Sequence, residues 1–245
     1  MRLIGCGAAI AVAMLAVLSA GSAAQELRCS PFTPGKIAEP KPREAGWPVH
    51  RFDEINAAVK RQPYRVLFFG DSITEGFDKA LWQSDMAPRG VLNAGVSGDR
   101  TEHLMWRLQH GNLDGPPPAG VALLIGTNDL GHGRSPSDAA QGIRADLLYL
   151  RQQLPQARIL LLGLWPRAAS PGDRLRRGTV AVNQLIRRCG DGGTILYADI
   201  GDVLLDGEGG LSRALSPDLL HFSPAGYARL TPPLDSLIDK LLAGR

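Results

Sequence analysis

The sequence predicts an α/β fold of three layers: a five-stranded parallel sheet in the flavodoxin-like order, with helices on both faces. Three observations predict it. From Tyr64 onward, short apolar runs alternate with longer stretches of helical period. The runs are apolar throughout, as in strands buried on both faces. Finally, 245 residues with 44% apolar and 21% charged side chains suit one ordinary domain around one core.

The elements follow in order. Residues 1–24 read as an export signal, with Arg2 at the start, an apolar core from Ala8 to Leu18 and small residues at Ser22-Ala23-Ala24. The run is short for a stable membrane span. A secreted or periplasmic location is expected, with an uncleaved N-terminal membrane anchor as the alternative. Residues 25–63 read as a Pro-rich arm (Pro31, Pro34, Pro40, Pro42, Pro48) and a helix, Val49–Arg61, which Pro63 ends. The domain proper is expected over 64–245.

Strands are expected at Arg65–Phe69, Val91–Asn93, Val121–Ile125, Arg158–Leu162 and Thr194–Ala198. Helices are expected between them at Thr101–His110, Ser137–Gln153 and Leu175–Arg188, each with apolar residues three or four apart. Near the end, Ser223-Pro224 and Thr231-Pro232 both read as a cap followed by proline, that is, as two helix starts.

Charge and cysteines set limits. The net charge of +3 is too small to indicate nucleic acid or an anionic membrane as a partner. No Walker-type phosphate loop, HExxH or CxxC occurs, so neither a cofactor nor a metal is expected. Cys6 falls in the leader. Cys29 and Cys189 remain, and both a disulfide tying the arm to the domain and two separate thiols stay open.

In a doubly wound sheet, ligands bind beyond the carboxyl ends of the strands. After the first strand comes Gly70-Asp71-Ser72, where a serine at a strand-to-helix turn is either a nucleophile or a helix cap. After the second comes Gly95-Val96-Ser97-Gly98, whose small residues let backbone N–H groups approach a ligand. Gly126-Thr127-Asn128-Asp129 follows the third and offers the Asn128 side chain. After the last comes Asp218-Leu219-Leu220-His221, where the aspartate can orient the histidine. Of the five histidines, His132 is the rival base, but its short-range acid is only Asp129.

These segments, with Ser72, Gly98, Asn128 and the Asp218/His221 pair in that order, resemble the SGNH (GDSL-type) hydrolases. Residues 98–108, 162–167 and 182–186 bring the chain close to the catalytic subunits of intracellular platelet-activating-factor acetylhydrolase. The resemblance covers about 64–243 and implies a serine esterase acting on short, acetyl-sized acyl esters. Ser72 would be the nucleophile, His221 the base and Asp218 its orienting acid. The Ser72 and Gly98 N–H groups and the Asn128 side chain would form an oxyanion hole.

Ile73, Thr127 and Leu220 are the expected acyl-side binding residues. Trp82, Trp106 and Trp165 are expected either in an alcohol-side groove or in packing. A small-molecule, glycan or lipid acyl ester is the expected partner, and the resemblance suggests a homodimer. Acyl transfer, lysophospholipase or thioesterase chemistry at the same site, and a non-catalytic glycan-binding module, are the alternatives.

Overall fold

The structure, a computed structural model, describes residues 29–31, 35–44 and 46–243; the expected export signal lies outside the described residues. After the arm comes α1 (Trp47–Arg61), with Pro48 in its first turn and Ile55 and Val59 buried. Next are β1 (Val66–Gly70), the short α2 (Ser72–Glu75) and α3 (Lys79–Leu81), a π turn at Trp82–Met86, and β2 (Val91–Gly95). Then follow α4 (Thr101–Gln109), β3 (Gly120–Leu124), α5 (Thr127–Gly131), α6 (Pro136–Gln153), β4 (Arg158–Leu162), α7 (Arg174–Ile186), β5 (Ile195–Ala198) and α8 (Pro224–Ala243). The expected strands and the helices between them are all present, their ends shifted by a residue or two.

The five strands pair in parallel in the order β2-β1-β3-β4-β5. Right-handed crossovers then require connections running in opposite directions to cover opposite faces. Accordingly α4, α6 and α7 pack side by side, while α8 crosses β3 and β4 and meets α3. Phe68, Phe69, Leu123, Leu147 and Leu150 are fully buried between the layers. No helix among the described residues is long and apolar enough to cross a membrane.

Register is what gathers the strand-end residues. Gly70 lies level with Gly95 on one side and with Leu124 on the other. The segments carrying Ser72, Gly98 and Asn128 therefore leave the sheet from the same height at adjacent positions. The direction of winding reverses between β1 and β3, so this is also the switch point.

The arm is stapled to the domain by a disulfide between Cys29 and Cys189, Cα atoms 4.5 Å apart. Further bonds fasten it, among them Arg144 Nε donating to the Cys29 carbonyl at 2.8 Å and the Lys41 N–H to the Glu102 carbonyl at 3.3 Å.

One expectation is corrected. Thr231-Pro232 does not begin a helix; α8 runs unbroken through Pro232 and Pro233. The two prolines leave the carbonyls four residues back, on Ala228 and Arg229, without helical donors. Both residues are exposed, so water can serve them. The buried stripe Tyr227, Leu230, Leu234, Ile238 and Leu241 continues across the prolines and holds the helix to the core. The first expected start stands: the Ser223 hydroxyl accepts the Gly226 N–H at 3.2 Å.

Candidate active site

The turn after β1 is tight. A side chain at Gly70 would overlap that of Thr74, and one at Gly95 would overlap the backbone of Glu75. Glycine at both lets α2 fold straight back over the strand ends. Asp71 caps α2, its Oδ1 accepting the Ile73 N–H at 3.0 Å. Burial pushes the Asp71 carboxyl up to about 7; the Ile73 bond opposes the shift, and the charges of Asp99 and Asp129 add to it. Ser72 is half-buried at the first position of α2.

The last loop brings His221 to it. Ser72 Oγ lies 2.8 Å from His221 Nε2, and His221 Nδ1 lies 2.7 Å from Asp218 Oδ2. Asp218 Oδ1 accepts the N–H groups of Leu220 at 3.0 Å and His221 at 2.7 Å. Burial alone would raise the Asp218 pKa. The His221 side-chain bond and the two N–H bonds outweigh it and bring the carboxyl down to about 2.

The base loop is braced at a strained point. Leu219 has φ 62° and Ala168 φ 63°, a region costly for residues with a side chain. The Ala168 N–H donates to the Leu219 carbonyl at 2.8 Å. Arg176 then donates to the carbonyls of Arg167, Ala168 and Gly209 at 2.7, 2.6 and 2.8 Å.

The Gly98 loop is held to α2 and to α5. Glu75 Oε2 accepts both the N–H and the hydroxyl of Ser97 at 2.6 Å. Gly98 has φ 77°, the left-handed region that favours glycine. Asn128 Nδ2 donates to the Asp99 carbonyl at 3.0 Å, which fixes the amide and leaves its second N–H for a ligand.

Beneath the loop sits a buried guanidinium. Arg107 donates to Asp99 Oδ2 at 2.7 Å, to Asn112 Oδ1 at 2.7 Å and to the Gly70 carbonyl at 3.0 Å. One side chain thus joins the end of β1 to the loop after β2.

The other sequence-derived candidates fall as follows. Ile73 and Thr127 are buried and Leu220 is half-buried; the Thr127 hydroxyl and carbonyl both accept from Arg167 Nη1, at 3.2 and 2.9 Å. His132 is turned to the Asn128 carbonyl, 2.8 Å from its Nδ1. Trp82 packs against Phe68 and Phe77 and Trp165 against Phe222, while Trp106 stacks on His110. Among the described residues no group of three or more His, Cys, Asp or Glu could hold a metal ion.

Arg107, Glu75, Arg167 and Arg176 were not singled out from the sequence. Arg107 left a signal, since it falls on the same helical face as Leu104 and Leu108, where a charge needs a partner.

A hydroxyl against an imidazole backed by a carboxylate can attack a carbonyl. The GDSL-like lipase/acylhydrolase family profile matches residues 68–229. The chain is 35% identical over 198 residues to the human platelet-activating factor acetylhydrolase IB subunit alpha1, covering 79% of this chain and 82% of that one. It is 34% identical over 179 residues to the rat alpha2 subunit, covering 72% and 77%. The solved structure of a GDSL-like lipase from Bacteroides thetaiotaomicron shares the fold, with a TM-score of 0.62, 22% identity and coverage of 78% of this chain and 97% of that one. The chain belongs to the GDSL-like lipase/acylhydrolase family and is a hydrolase acting on esters.

Proposed function

We propose that the protein is an exported esterase that removes short acyl groups, acetyl foremost, with Ser72 as nucleophile. The observation that carries this is the unbroken chain Ser72 Oγ–His221–Asp218, with links of 2.8 and 2.7 Å. Ser72 attacks the ester carbonyl while His221 takes its proton and passes it to the leaving alcohol. Asp218 orients the imidazole and offsets its charge. The oxyanion sits between the N–H groups of Ser72 and Gly98 and the free N–H of Asn128. Water then repeats the sequence on the acyl-enzyme.

Acetyl selectivity draws on two things: the acetylhydrolase relatives, and the reading of Ile73, Thr127 and Leu220 as the acyl-side wall. Arg167 fixes Thr127, so on that reading the wall does not yield easily to a longer chain. Export draws on the apolar N-terminal stretch and on the Cys29–Cys189 disulfide, a bond typical of oxidising compartments and rare in the cytosol.

Rates on p-nitrophenyl esters of increasing acyl length test the substrate class. The expected maximum is at two to four carbons; a maximum at eight or longer would reject the small acyl site. Asn128→Ala tests the oxyanion hole. It is expected to lower kcat roughly 100- to 1000-fold with little change in KM, and an unchanged kcat would reduce Asn128 to a turn residue.

A further inference from the structure

We infer that Arg43, on the N-terminal arm, is a positioning residue for the oxyanion hole. This rests on reading the Gly98 N–H as an oxyanion donor. The segment 95–99 is pinned from several sides. Glu75 takes Ser97, Asn128 takes the Asp99 carbonyl and Arg107 takes the Asp99 carboxylate. Those anchors belong to the 68–229 segment that matches the family.

The Gly98 carbonyl is different. Among the described residues its hydrogen-bond donor is Arg43 Nη1, at 2.6 Å, and the same nitrogen stands 4.0 Å from Asp99 Oδ1. Gly98 sits at φ 77°. A β-carbon there would lie 3.0 Å from Arg43 Nη1, so the guanidinium is seated directly on the glycine.

Gly98 is free to rotate as few residues are. A turn about its φ or ψ re-aims the flanking peptide groups, including the N–H that faces the oxyanion. Arg43 holds one of those peptides by its oxygen and so limits the rotation. The arm can do this because it is itself fixed, by the Cys29–Cys189 disulfide, by the Lys36 N–H on Asp138 at 2.7 Å and by the Lys41 N–H on Glu102. Arg43 is one-third exposed at its side chain, so the core does not depend on it.

The test compares Arg43→Met, Arg43→Lys, Asn128→Ala and the double variant Arg43→Met/Asn128→Ala on p-nitrophenyl acetate. Arg43→Met is expected to lower kcat about 10- to 100-fold, as lost support of a reacting group does. KM should stay within about twofold and Tm near that of the parent. Arg43→Lys keeps one donor and should recover part of the loss. In the double variant the losses should fall short of multiplying, because both act on one oxyanion.

Unchanged kcat in Arg43→Met, alongside a large loss in Asn128→Ala, overturns the role of Arg43 and leaves the oxyanion reading standing. Unchanged kcat in Asn128→Ala removes that reading, and this inference with it. A loss in Arg43→Met that follows Tm or KM in place of kcat also overturns it.

Discussion

Ser72→Ala is expected to lower kcat by about 10⁶ and to abolish covalent labelling by a fluorophosphonate, with the fold intact. The magnitude is that of removing the nucleophile from a serine hydrolase whose members act as a unit. Ser72 is half-buried at the head of α2 and its hydroxyl faces His221, so losing one oxygen leaves no cavity in the core. The Asp71 cap on Ile73 is untouched. His221→Ala is expected to cost nearly as much, and the double variant little more than either single one, since each step needs both groups.

Asp218 has a separate signature. Its carboxyl is held near 2 by the bonds from His221 and Leu220, so it stays an anion throughout the working range and its charge is present whenever the imidazolium forms. Stopped-flow hydrolysis of an activated acetate ester reads the rate, and gel fluorescence of a fluorophosphonate probe reads the nucleophile. Labelling that survives in Ser72→Ala would move the nucleophile elsewhere.

The parts that could be read from the chain were those written locally. A strand buried on both faces has to be apolar along its length, and Val66–Phe69 or Leu160–Leu162 cannot easily be anything else. Parallel order and register then put residues just after strands at one rim, so Ser72, Gly98 and Asn128 could be grouped without coordinates. Spacing alone does not separate His221 from His132, since Asp129 stands three residues before His132 as Asp218 does before His221. The glycines flanking His132 were the further signal. In the structure the Asp129 carboxylate is taken by Thr101 and Arg134, while His132 turns to the Asn128 carbonyl.

What escaped was written across distance. Arg107 falls in α4, yet its partners are at 70, 99 and 112, and no local pattern names them. Arg43 meets Gly98 over 55 positions, through an arm whose prolines say only that it is irregular. The prolines of α8 misled because proline favours a first turn locally. The packed stripe from Tyr227 to Leu241 outweighs that preference, and no reading of the dipeptide contains it.

Arg107→Met is expected to cost about 3–5 kcal/mol of stability, the usual penalty for leaving half of a buried ion pair. For a chain of this size that lowers Tm by roughly 10 °C. Methionine fills much of the space over the Phe69 ring, where the guanidinium carbon lies 5.4 Å from the centroid, so the loss is electrostatic more than steric. Among the described residues, Asp99, wholly buried, then keeps Arg43 at 4.0 Å as its one paired cation. Asp146 is buried close by, and its carboxyl is pushed well up by burial and by neighbouring acids, with Arg107 acting against them.

The sign of the pH dependence follows. Burial already raises the Asp99 pKa against the pull of Arg107. Without the arginine it rises further above the unfolded value of about 4. Between those two values the folded protein holds a proton that the unfolded chain has released, so stability falls as pH rises. The Tm deficit of Arg107→Met should therefore be larger at pH 8 than at pH 5. Adding Asp99→Asn should recover much of it and flatten the pH dependence. Thermal melts of the parent, the single and the double variant at the two pH values measure all of this. A single variant melting within 2 °C of the parent would mean that the loop after β2 is held in place without its buried charge pair.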